Sequence, residues 1–421
     1  MNKVIAIVDG CSTGVLIAQE FNRSGFRCVH VQSSANPPRI MTGAGGYHAH
    51  EYMATVVHDG NLQETVAFLS TFEVIAVVPG VESGVELADA LAAAIGVPCN
   101  HPALASARRD KYQMAMAVRG AGLRSIPTLL TRDVAHALSW IHGGIGFPVV
   151  VKPPKSGGTD GVTLCDNADA LHEAFSALVG KKNILLLVNE ALVVQPYTSG
   201  VEYIVDTVSS DGVHQITDIW EYGKRLSFNG ASFVYDHAWL LPAEGETQAL
   251  LTQYAKHVLD ALGIRHGAAH CEIIMAKGAP VLIEVGARIC GGFVPVLCKA
   301  AIGRSQIDAL VESIVSPAVF KASASEPYKL RNHALRVLLV SGTSGQLDRL
   351  PLLKDVHRLH SFHSIQLGVH PGGRIERTTN FFSHPGKIDL IHANRDVLLH
   401  EMSVIRELEA NGFYEVKKEK E

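Results

Sequence analysis

A chain of 421 residues is too long for one core and suggests two to four domains or subdomains, and its 47% hydrophobic residues are enough for buried cores. Its formal net charge of −4 argues against binding to nucleic-acid phosphates. Seven cysteines without a CxxC pair indicate reduced thiols in a cytoplasmic protein, and they argue against a disulfide framework or structural zinc. Since no apolar run reaches the roughly 18 residues of a membrane span and the first residues lack a signal-peptide cleavage region, we expect no membrane association.

The first hundred residues alternate between strand patterns and helix patterns. The segments KVIAIVD, RCVHVQ and VIAVVPG predict strands, whereas TGVLIAQEFNRSG and GVELADALAAAIG predict helices. This alternation predicts a parallel α/β sheet. The loop from Asp9 to Gly14 does not match GxGxxG, which argues against dinucleotide binding. Glu82 follows one of these strands, at the edge where α/β folds bind ligands, and is therefore a candidate substrate contact.

A glycine-rich loop follows in FPVVVKPPKSGGTDGVTLC. This segment predicts a strand that ends in Lys152, a loop with Gly157, Gly158 and Gly161, and a second strand. Glycines let backbone N–H groups approach a polyphosphate closely, and the lysine adds positive charge. The loop is not a Walker loop, because GxxxxGK[ST] is absent and it joins strand to strand. Lys111, at the start of a predicted helix, is a second cation. A hairpin turn and a solvated helix face remain the alternatives.

Two glutamates occupy the segment HCEIIMAKGAPVLIEVGAR. Its two β-branched runs, separated by Lys-Gly-Ala-Pro, predict an antiparallel hairpin. Glu272 and Glu284 are an even number of residues apart, so we expect both side chains on one face of the hairpin. Paired carboxylates are costly to bury without a cation, and hard oxygen ligands suit Mg²⁺. Arg288 lies near enough in sequence to contact a phosphoryl group at the same site. A solvated hairpin face is the alternative.

Two more polar residues belong to this segment. His266 and His270 have a zinc-like spacing, but Gly267 weakens any helix and no third ligand is evident, so we favour a phosphate-side or core role for His270. Cys290, close to Arg288, is interpreted as a buried small residue, with an activated thiolate as the alternative.

The ordered set of Lys111, Lys152 with its glycine loop, VVQPYTSGVEYIVD and the two glutamates resembles the ATP-grasp superfamily of carboxylate–amine ligases. Over roughly residues 1 to 320, the chain looks most like the L-amino acid ligases that make dipeptides. The resemblance implies an α/β ATP-grasp fold with a two-lobed nucleotide-binding region. Its expected parts are an N-terminal parallel α/β domain (1–105), a first lobe with the glycine-rich loop (106–195), a second lobe with the metal site (196–325) and a C-terminal α/β subdomain (326–421).

The resemblance also implies a role for each matching residue around ATP. The phosphates are contacted by Lys111, Lys152 and the loop residues Ser156, Gly157, Gly158 and Gly161. Asp160 is an acidic residue within that loop. The adenine is contacted by Gln195, where the family often has Glu, and by backbone groups of Tyr197 and Thr198. The ribose is contacted by Glu202.

The metal roles follow from the same resemblance. Glu272 and Glu284 are expected to hold Mg²⁺, with Mn²⁺ as a substitute, while Arg288 and the Gly291 N–H stabilise the transferring phosphoryl group or the tetrahedral intermediate. Gly286 stands where many members carry a third metal ligand, Asn, so water or phosphate would fill that place. By the same resemblance, Gly292 lies beside the acyl donor. From the residues themselves we expect further substrate contacts from Glu82, which would meet an ammonium group, from His270 beside Glu272, and from the segment from Glu221 to His237.

The implied reaction is ATP-dependent joining of two amino acids through an acylphosphate, with release of ADP and phosphate. The expected partners are small amino acids and a second copy of the chain in a homodimer. Two alternatives stay open. One is an ATP-grasp ligase or carboxylase that acts on a different small acid, and the other is a nucleotide-binding module without catalysis.

Overall fold

The computed structural model describes residues 3–38, 46–226 and 233–417. The chain divides into two compact units. The first contains Met1–Ile219, Ala243–Val296 and Arg304–Tyr328, and the second contains Trp220–Pro242, Leu297–Gly303 and Lys329–Glu421. Within the described ranges, every helix is too short or too polar to cross a membrane.

The first unit begins with a parallel sheet that has the order β3-β2-β1-β4. Its strands are β1 (Lys3–Val8), β2 (Arg27–Gln32), β3 (Tyr52–Val57) and β4 (Glu73–Pro79), and its helices are α1 (Val15–Arg23), α2 (Leu62–Leu69) and α3 (Val85–Ile95). Ile5 and Ile7 pack into one buried cluster, whereas Val4, Ala6 and Val8 pack into another. Because β1 is apolar on both faces, helices cover the sheet on both sides, as in other parallel sheets.

A four-stranded antiparallel sheet follows, with the order β5-β8-β6-β7. Its strands are β5 (Leu129–Thr131), β6 (Val149–Lys152), β7 (Thr163–Cys165) and β8 (Leu192–Pro196), and the helices nearby in sequence are α4 (Lys111–Gly120), α5 (Val134–Trp140) and α6 (Ala168–Leu178). Val149 and Val151 pack into a core with Leu171 and Phe175. Since side chains alternate along a strand, Lys152 points to the opposite face of β6.

The remaining part of the first unit contains long antiparallel strands. Its strands are β9 (Val201–Ser210), the first part of β10 (Val213–Leu226), β12 (Gly267–Ala276) and β13 (Ala279–Gly286), and its helices are α7 (Glu246–Ala261), α9 (Gln306–Val315) and α10 (Pro317–Ser323). β12 pairs with β9 on one side and with β13 on the other. The predicted hairpin from Glu272 to Glu284 is confirmed by this pairing.

The second unit has its own antiparallel strands and core. Its elements are β11 (Phe233–Leu240), α8 (Val294–Ile302, which begins in the first unit), β14 (His333–Leu338), β15 (Gly345–Arg349), α11 (Leu353–Val356), β16 (Phe362–Leu367), β17 (Arg374–Ile375), β18 (Gly386–His392), α12 (Arg395–Ala410) and β19 (Glu415–Val416). Trp239, Leu335 and Leu390 pack together in its core. A buried ion pair joins Arg336 and Asp389 at 2.7 Å across β14 and β18.

Candidate active site

The two glutamates face each other across the β12–β13 hairpin, where Glu272 is the direct partner of Glu284. The turn at Lys277 and Gly278 has positive φ at both residues, 52° and 76°, which is the pattern of a tight hairpin turn. That turn pairs Ala276 with Ala279, so residues an odd number apart would stay opposite each other. A β-bulge at Ile283 shifts the register by one residue before the glutamates. The bulge therefore places both carboxylates on one face of the hairpin.

Two lysines meet these carboxylates. Lys111 begins α4, and the side chain of Asp110 caps this helix by accepting from the N–H groups of Tyr112 and Gln113. The Nζ of Lys111 lies 3.2 Å from Glu284 Oε2 and donates to the Ser156 carbonyl at 3.0 Å. This contact links the metal-ligand candidate to the glycine-rich loop.

Lys152 is buried in the same cluster. Burial and the nearby Lys111 lower the pKa of Lys152 to about 8, although Glu284, Glu272 and Glu202 oppose the shift. A lysine whose charge is this poorly compensated attracts an anionic ligand such as a phosphate. Lys111 is more than 150 residues from Glu272 and Glu284 in the sequence, yet all three lie in one site. With Lys152 and Glu202, this site has two cations and three carboxylates.

The glycine-rich loop between β6 and β7 is held by its own acidic residue. Asp160 Oδ2 accepts from Ser156 Oγ at 2.7 Å and from the Ile184 N–H at 2.9 Å. Gly158 and Gly161 have φ of 64° and 68°, which favours glycine over other residues. A Cβ on Gly157 would lie more than 4 Å from every other described residue except its chain neighbours. Asp160 therefore shapes the loop, and the backbone at Gly157 borders open space.

The expected adenine contacts lie at the end of β8. Gln195 is buried, and its Nε2 donates to Thr128 Oγ1 at 2.8 Å. Oε1 is therefore the atom with which this amide can accept a hydrogen bond from adenine. The Tyr197 N–H donates to the Pro148 carbonyl at 2.9 Å, so a backbone contact from Tyr197 to adenine would use its carbonyl oxygen. The hydroxyl of Thr198 donates to the Pro196 carbonyl at 3.4 Å.

The neighbouring residues complete the nucleotide side of the site. Gln195 and Lys111 line one small cavity together with Met114 and Leu282, which gives an apolar wall beside two polar groups. Glu202 is buried on β9 opposite Ile274, and it is close enough to act on the charge of Lys152.

Arg288 is held by a carboxylate that follows β4. Its Nε donates to Glu82 Oε2 at 3.0 Å, and Arg109 Nη1 donates to Glu82 Oε1 at 2.9 Å. Burial alone would raise the pKa of Glu82, but Arg109, Arg288 and Lys111 outweigh it and lower the pKa below its ordinary value. The ammonium contact expected for Glu82 stays a prediction, while this geometry shows that both carboxylate oxygens accept from guanidinium groups. The sequence pattern does not indicate this role for Arg109, although Arg109 lies two residues before Lys111.

The loop after β13 is tied down by a buried amide. Gln306 accepts from the Cys290 N–H at 2.7 Å and donates to the carbonyls of Thr207 at 3.1 Å and Ala269 at 2.9 Å. Within the described ranges, a Cβ on Gly291 would have no neighbour within 4 Å apart from the adjoining residues, and Gly292 has a φ of 64°. The loop thus has a fixed base at Cys290 and an open approach at Gly291. Nothing in the sequence pattern indicated that Gln306 has this role.

His270 contacts two carboxylates and a thiol. Its Nδ1 lies 2.7 Å from Asp206 Oδ1, and its Nε2 lies 3.6 Å from Glu272 Oε1. Burial alone would lower the pKa of His270, but the Asp206 carboxylate outweighs it and raises the pKa well above its ordinary value. Burial and Asp206 raise the pKa of Cys290 to about 11, which supports the protonated, buried thiol and not an activated thiolate.

All of these residues belong to the first unit. Of the segment from Glu221 to His237, residues 227–232 lie outside the described residues. The arrangement can bind a polyphosphate through its lysines and loop N–H groups, hold a divalent cation between its glutamates, and place Arg288 near a transferring group.

Comparisons with known proteins agree with this geometry. A model of the ATP-grasp domain matches residues 145–296, the range that contains Lys152, the glycine-rich loop and both glutamates. Dapdiamide A synthase of Enterobacter agglomerans is 31% identical over 415 residues, which are 98% of this chain and 97% of that protein.

Two solved structures share the fold. L-amino acid ligase from Bacillus licheniformis has a TM-score of 0.76 with 19% identity, over 99% of both chains. Carboxyaminoimidazole ribonucleotide synthase from Aspergillus clavatus, complexed with ATP, has a TM-score of 0.70 with 14% identity, over 97% of this chain and 98% of that one.

The fold and the site define an ATP-dependent ligase that joins a carboxylate to an amine. The chain belongs to the ATP-grasp family, as its similarity to dapdiamide A synthase over nearly the whole length shows. The predicted α/β ATP-grasp fold is therefore confirmed.

Proposed function

We propose that the protein joins two L-amino acids into a dipeptide or a closely related amide, with conversion of ATP to ADP and phosphate. The observation that carries this proposal is the site itself, where Glu272 and Glu284 face each other beside Lys111 and Lys152, with Arg288 held by Glu82. Such a site neutralises charge on a phosphoryl group as it is transferred. The full-length similarity to dapdiamide A synthase and the fold shared with an L-amino acid ligase support the choice of substrate class.

The paired glutamates fit a divalent cation. Their hard oxygen donors lie directly opposite each other on one face of the hairpin, which is the donor set that Mg²⁺ or Mn²⁺ prefers. When bound, the cation neutralises phosphate charge and orients the γ-phosphate. Gly286 offers no side-chain ligand, so the remaining positions would go to water or phosphate oxygens.

The chain's own residues supply the rest of the chemistry. Lys111, Lys152 and the N–H groups of residues 156–161 hold the phosphates, while Gln195, Tyr197, Thr198 and Glu202 hold the nucleoside. The carboxylate of the first amino acid attacks the γ-phosphate, ADP leaves, and the amine of the second displaces phosphate from the resulting acylphosphate. Arg288 and the Gly291 N–H offset the negative charge that develops at the reacting centre. A covalent intermediate on the protein is not required.

The substrate and assembly assignments complete the proposal. Gly292 borders the pocket of the acyl donor, and His270 and Glu82 lie on the substrate side of the metal site. The four parts at 1–105, 106–195, 196–325 and 326–421 are proposed as the domain arrangement. We further propose a cytoplasmic homodimer, which light scattering during size-exclusion chromatography tests.

A screen of amino acid pairs for ATP-dependent phosphate release, with mass spectrometry of the products, tests the proposal. We expect turnover only when a carboxylate and an amine substrate are both present, and a product whose mass is their sum less one water. Bicarbonate and other small acids serve as donors in a parallel arm. Turnover with bicarbonate and without any amino acid pair would identify a ligase or carboxylase for a different acid. Release of AMP and pyrophosphate would contradict the proposed reaction.

A further inference from the structure

A second cluster of metal-ligating side chains lies beside the glutamate pair. Asp206 on β9, His270 on β12 and Cys290 after β13 offer an oxygen, a nitrogen and a sulfur atom within 4.8 Å of one another. All three side chains are buried. Cys, His and Asp together are a donor set for Zn²⁺ and similar thiophilic cations, whereas a pair of glutamates suits Mg²⁺. The two clusters therefore favour different classes of ion.

Asp206 provides an independent indication of a missing ligand. Its Oδ1 accepts from His270 Nδ1 at 2.7 Å. Its Oδ2 is buried and has no hydrogen-bond partner within the described part of the chain, and the residue is 0% exposed. A buried carboxylate oxygen without a partner is costly, and such atoms are rare in folded proteins. A cation bound by both oxygens of this carboxylate would supply the missing interaction at Oδ2.

We propose that Asp206, His270 and Cys290 form a binding site for a thiophilic divalent cation of the Zn²⁺ class. The cation takes the place of the hydrogen between His270 Nδ1 and Asp206 and of the thiol hydrogen of Cys290. Two protons leave to solvent as one dication enters, so the formal charge of this buried cluster does not change. No oxidant or reductant is involved.

The required change in geometry is small. Zinc binds imidazole nitrogen and carboxylate oxygen at about 2.0–2.2 Å, so a tetrahedral ion holds the two atoms roughly 3.3 Å apart. The present distance between His270 Nδ1 and Asp206 Oδ1 is 2.7 Å, so these two atoms have to move apart by only about 0.6 Å. The base of the Cys290 loop is already fixed, because Gln306 accepts from the Cys290 N–H. The site is therefore largely built before a cation enters.

The cluster also reaches the proposed Mg²⁺ site. His270 Nε2 lies 3.6 Å from Glu272 Oε1, and a metal-bound histidine commonly donates its other ring N–H to a carboxylate. An occupied site would place a second dication one side chain away from Glu272. Because two dications repel each other, we expect Zn²⁺ to weaken activation by Mg²⁺, and we expect added Mg²⁺ to relieve this inhibition. This expectation rests on the proposed function.

The test uses Co²⁺ as a spectroscopic probe of the full chain, reduced, stripped of metal and free of ATP and amino acids. We expect a thiolate-to-cobalt charge-transfer band that saturates at one thiolate-bound Co²⁺ per chain, release of two protons as this ion binds, and displacement of the ion by Zn²⁺. Cys290→Ser should remove the band, and His270→Asn should weaken binding at least about tenfold. The matched control is Cys165→Ser. Cys165 is a buried thiol in the same unit, and its Sγ donates to the Thr163 and Ala170 carbonyls, so this variant should keep the band.

The proposal is overturned if the folded wild-type protein gives no charge-transfer band with stoichiometric Co²⁺, or if Cys290→Ser gives the same band. The wild-type measurement decides the matter even if a variant does not fold. Because the probe is read without ATP, its failure is distinct from a failure of the ligase assay. A normal band with unchanged Mg²⁺ activation would refute the coupling through Glu272.

Discussion

Replacing Glu82 with glutamine tests whether this buried carboxylate holds Arg288 in place. Its two oxygens accept from Arg109 at 2.9 Å and from Arg288 at 3.0 Å. Glutamine keeps the shape but has one acceptor oxygen, so its amide nitrogen would meet a guanidinium donor. Removing one partner of a buried ion pair costs about 3–5 kcal/mol. Because glutamine keeps one of the two hydrogen bonds, we expect the free energy of unfolding to fall by about 3 kcal/mol.

The same substitution separates two roles for Glu82 in catalysis. If it orients Arg288, kcat falls about 10–100-fold, as for other groups that position a reacting side chain, while the KM for each amino acid changes by less than about threefold. Urea unfolding and steady-state ADP release measure the two effects. Glu73→Gln, at the exposed start of β4, the strand that Glu82 follows, is the control and should match the wild type. A kcat within about twofold of wild type, with an amino acid KM raised more than about tenfold, would refute the positioning role and identify an ammonium contact.

Three further predictions concern the metal, nucleotide and donor sites. Glu284→Gln should lower kcat about 10²–10³-fold at saturating Mg²⁺ in a folded protein, and a variant that keeps more than about a tenth of the activity would contradict the metal role. ATP affinity by calorimetry should weaken as the pH rises through about 8, where Lys152 loses its proton, and Lys152→Arg should remove that dependence. Gly292, at φ 64°, strains any side chain, so Gly292→Ala should slow all donors alike, whereas Gly292→Trp should also narrow the donor preference towards Gly and Ala. Equal losses for every donor in both variants would show that only the turn matters.

The pKa of Lys152 also has a consequence for stability. The unfolded chain keeps this proton up to the ordinary value of 10.5, whereas the folded chain keeps it only up to about 8. Since the unfolded state binds more protons between these values, the contribution of Lys152 to stability rises with pH across that window.

The alternation of strands and helices at the N-terminus was readable from sequence because each strand of that sheet needs an apolar run. β3 (Tyr52–Val57) was missed. This strand lies at the edge of the sheet, and every second residue is exposed, including Met53 and Val57. Its sequence therefore lacks the buried apolar run that marks the central strands. Edge strands carry a weaker signal than central strands for this reason.

The glutamate pair was predicted correctly from the even spacing, but that argument was incomplete. A tight turn at Lys277 and Gly278 places residues an odd number apart opposite each other, and only the bulge at Ile283 restores the pairing of Glu272 with Glu284. Bulges depend on local backbone geometry that a hydrophobic pattern does not encode.

The supporting residues of the site were not predictable from spacing. Asp206 meets His270 across 64 residues of sequence, and Gln306 meets Thr207 across 99. Such contacts arise from strand pairing and helix packing, so no short motif contains them. Asp160 was singled out as an acidic residue in a phosphate loop, but only the structure shows that its carboxylate binds Ser156 within the loop.

Oxygen-18 transfer tests the central claim most directly. An amino acid donor labelled with oxygen-18 in its carboxylate is turned over with ATP and an unlabelled amine acceptor, and the released phosphate is analysed by mass spectrometry. An acylphosphate forms by attack of that carboxylate on the γ-phosphate, so the account predicts one labelled oxygen in each phosphate released and none in ADP. Unlabelled phosphate, or label recovered in AMP, would contradict it.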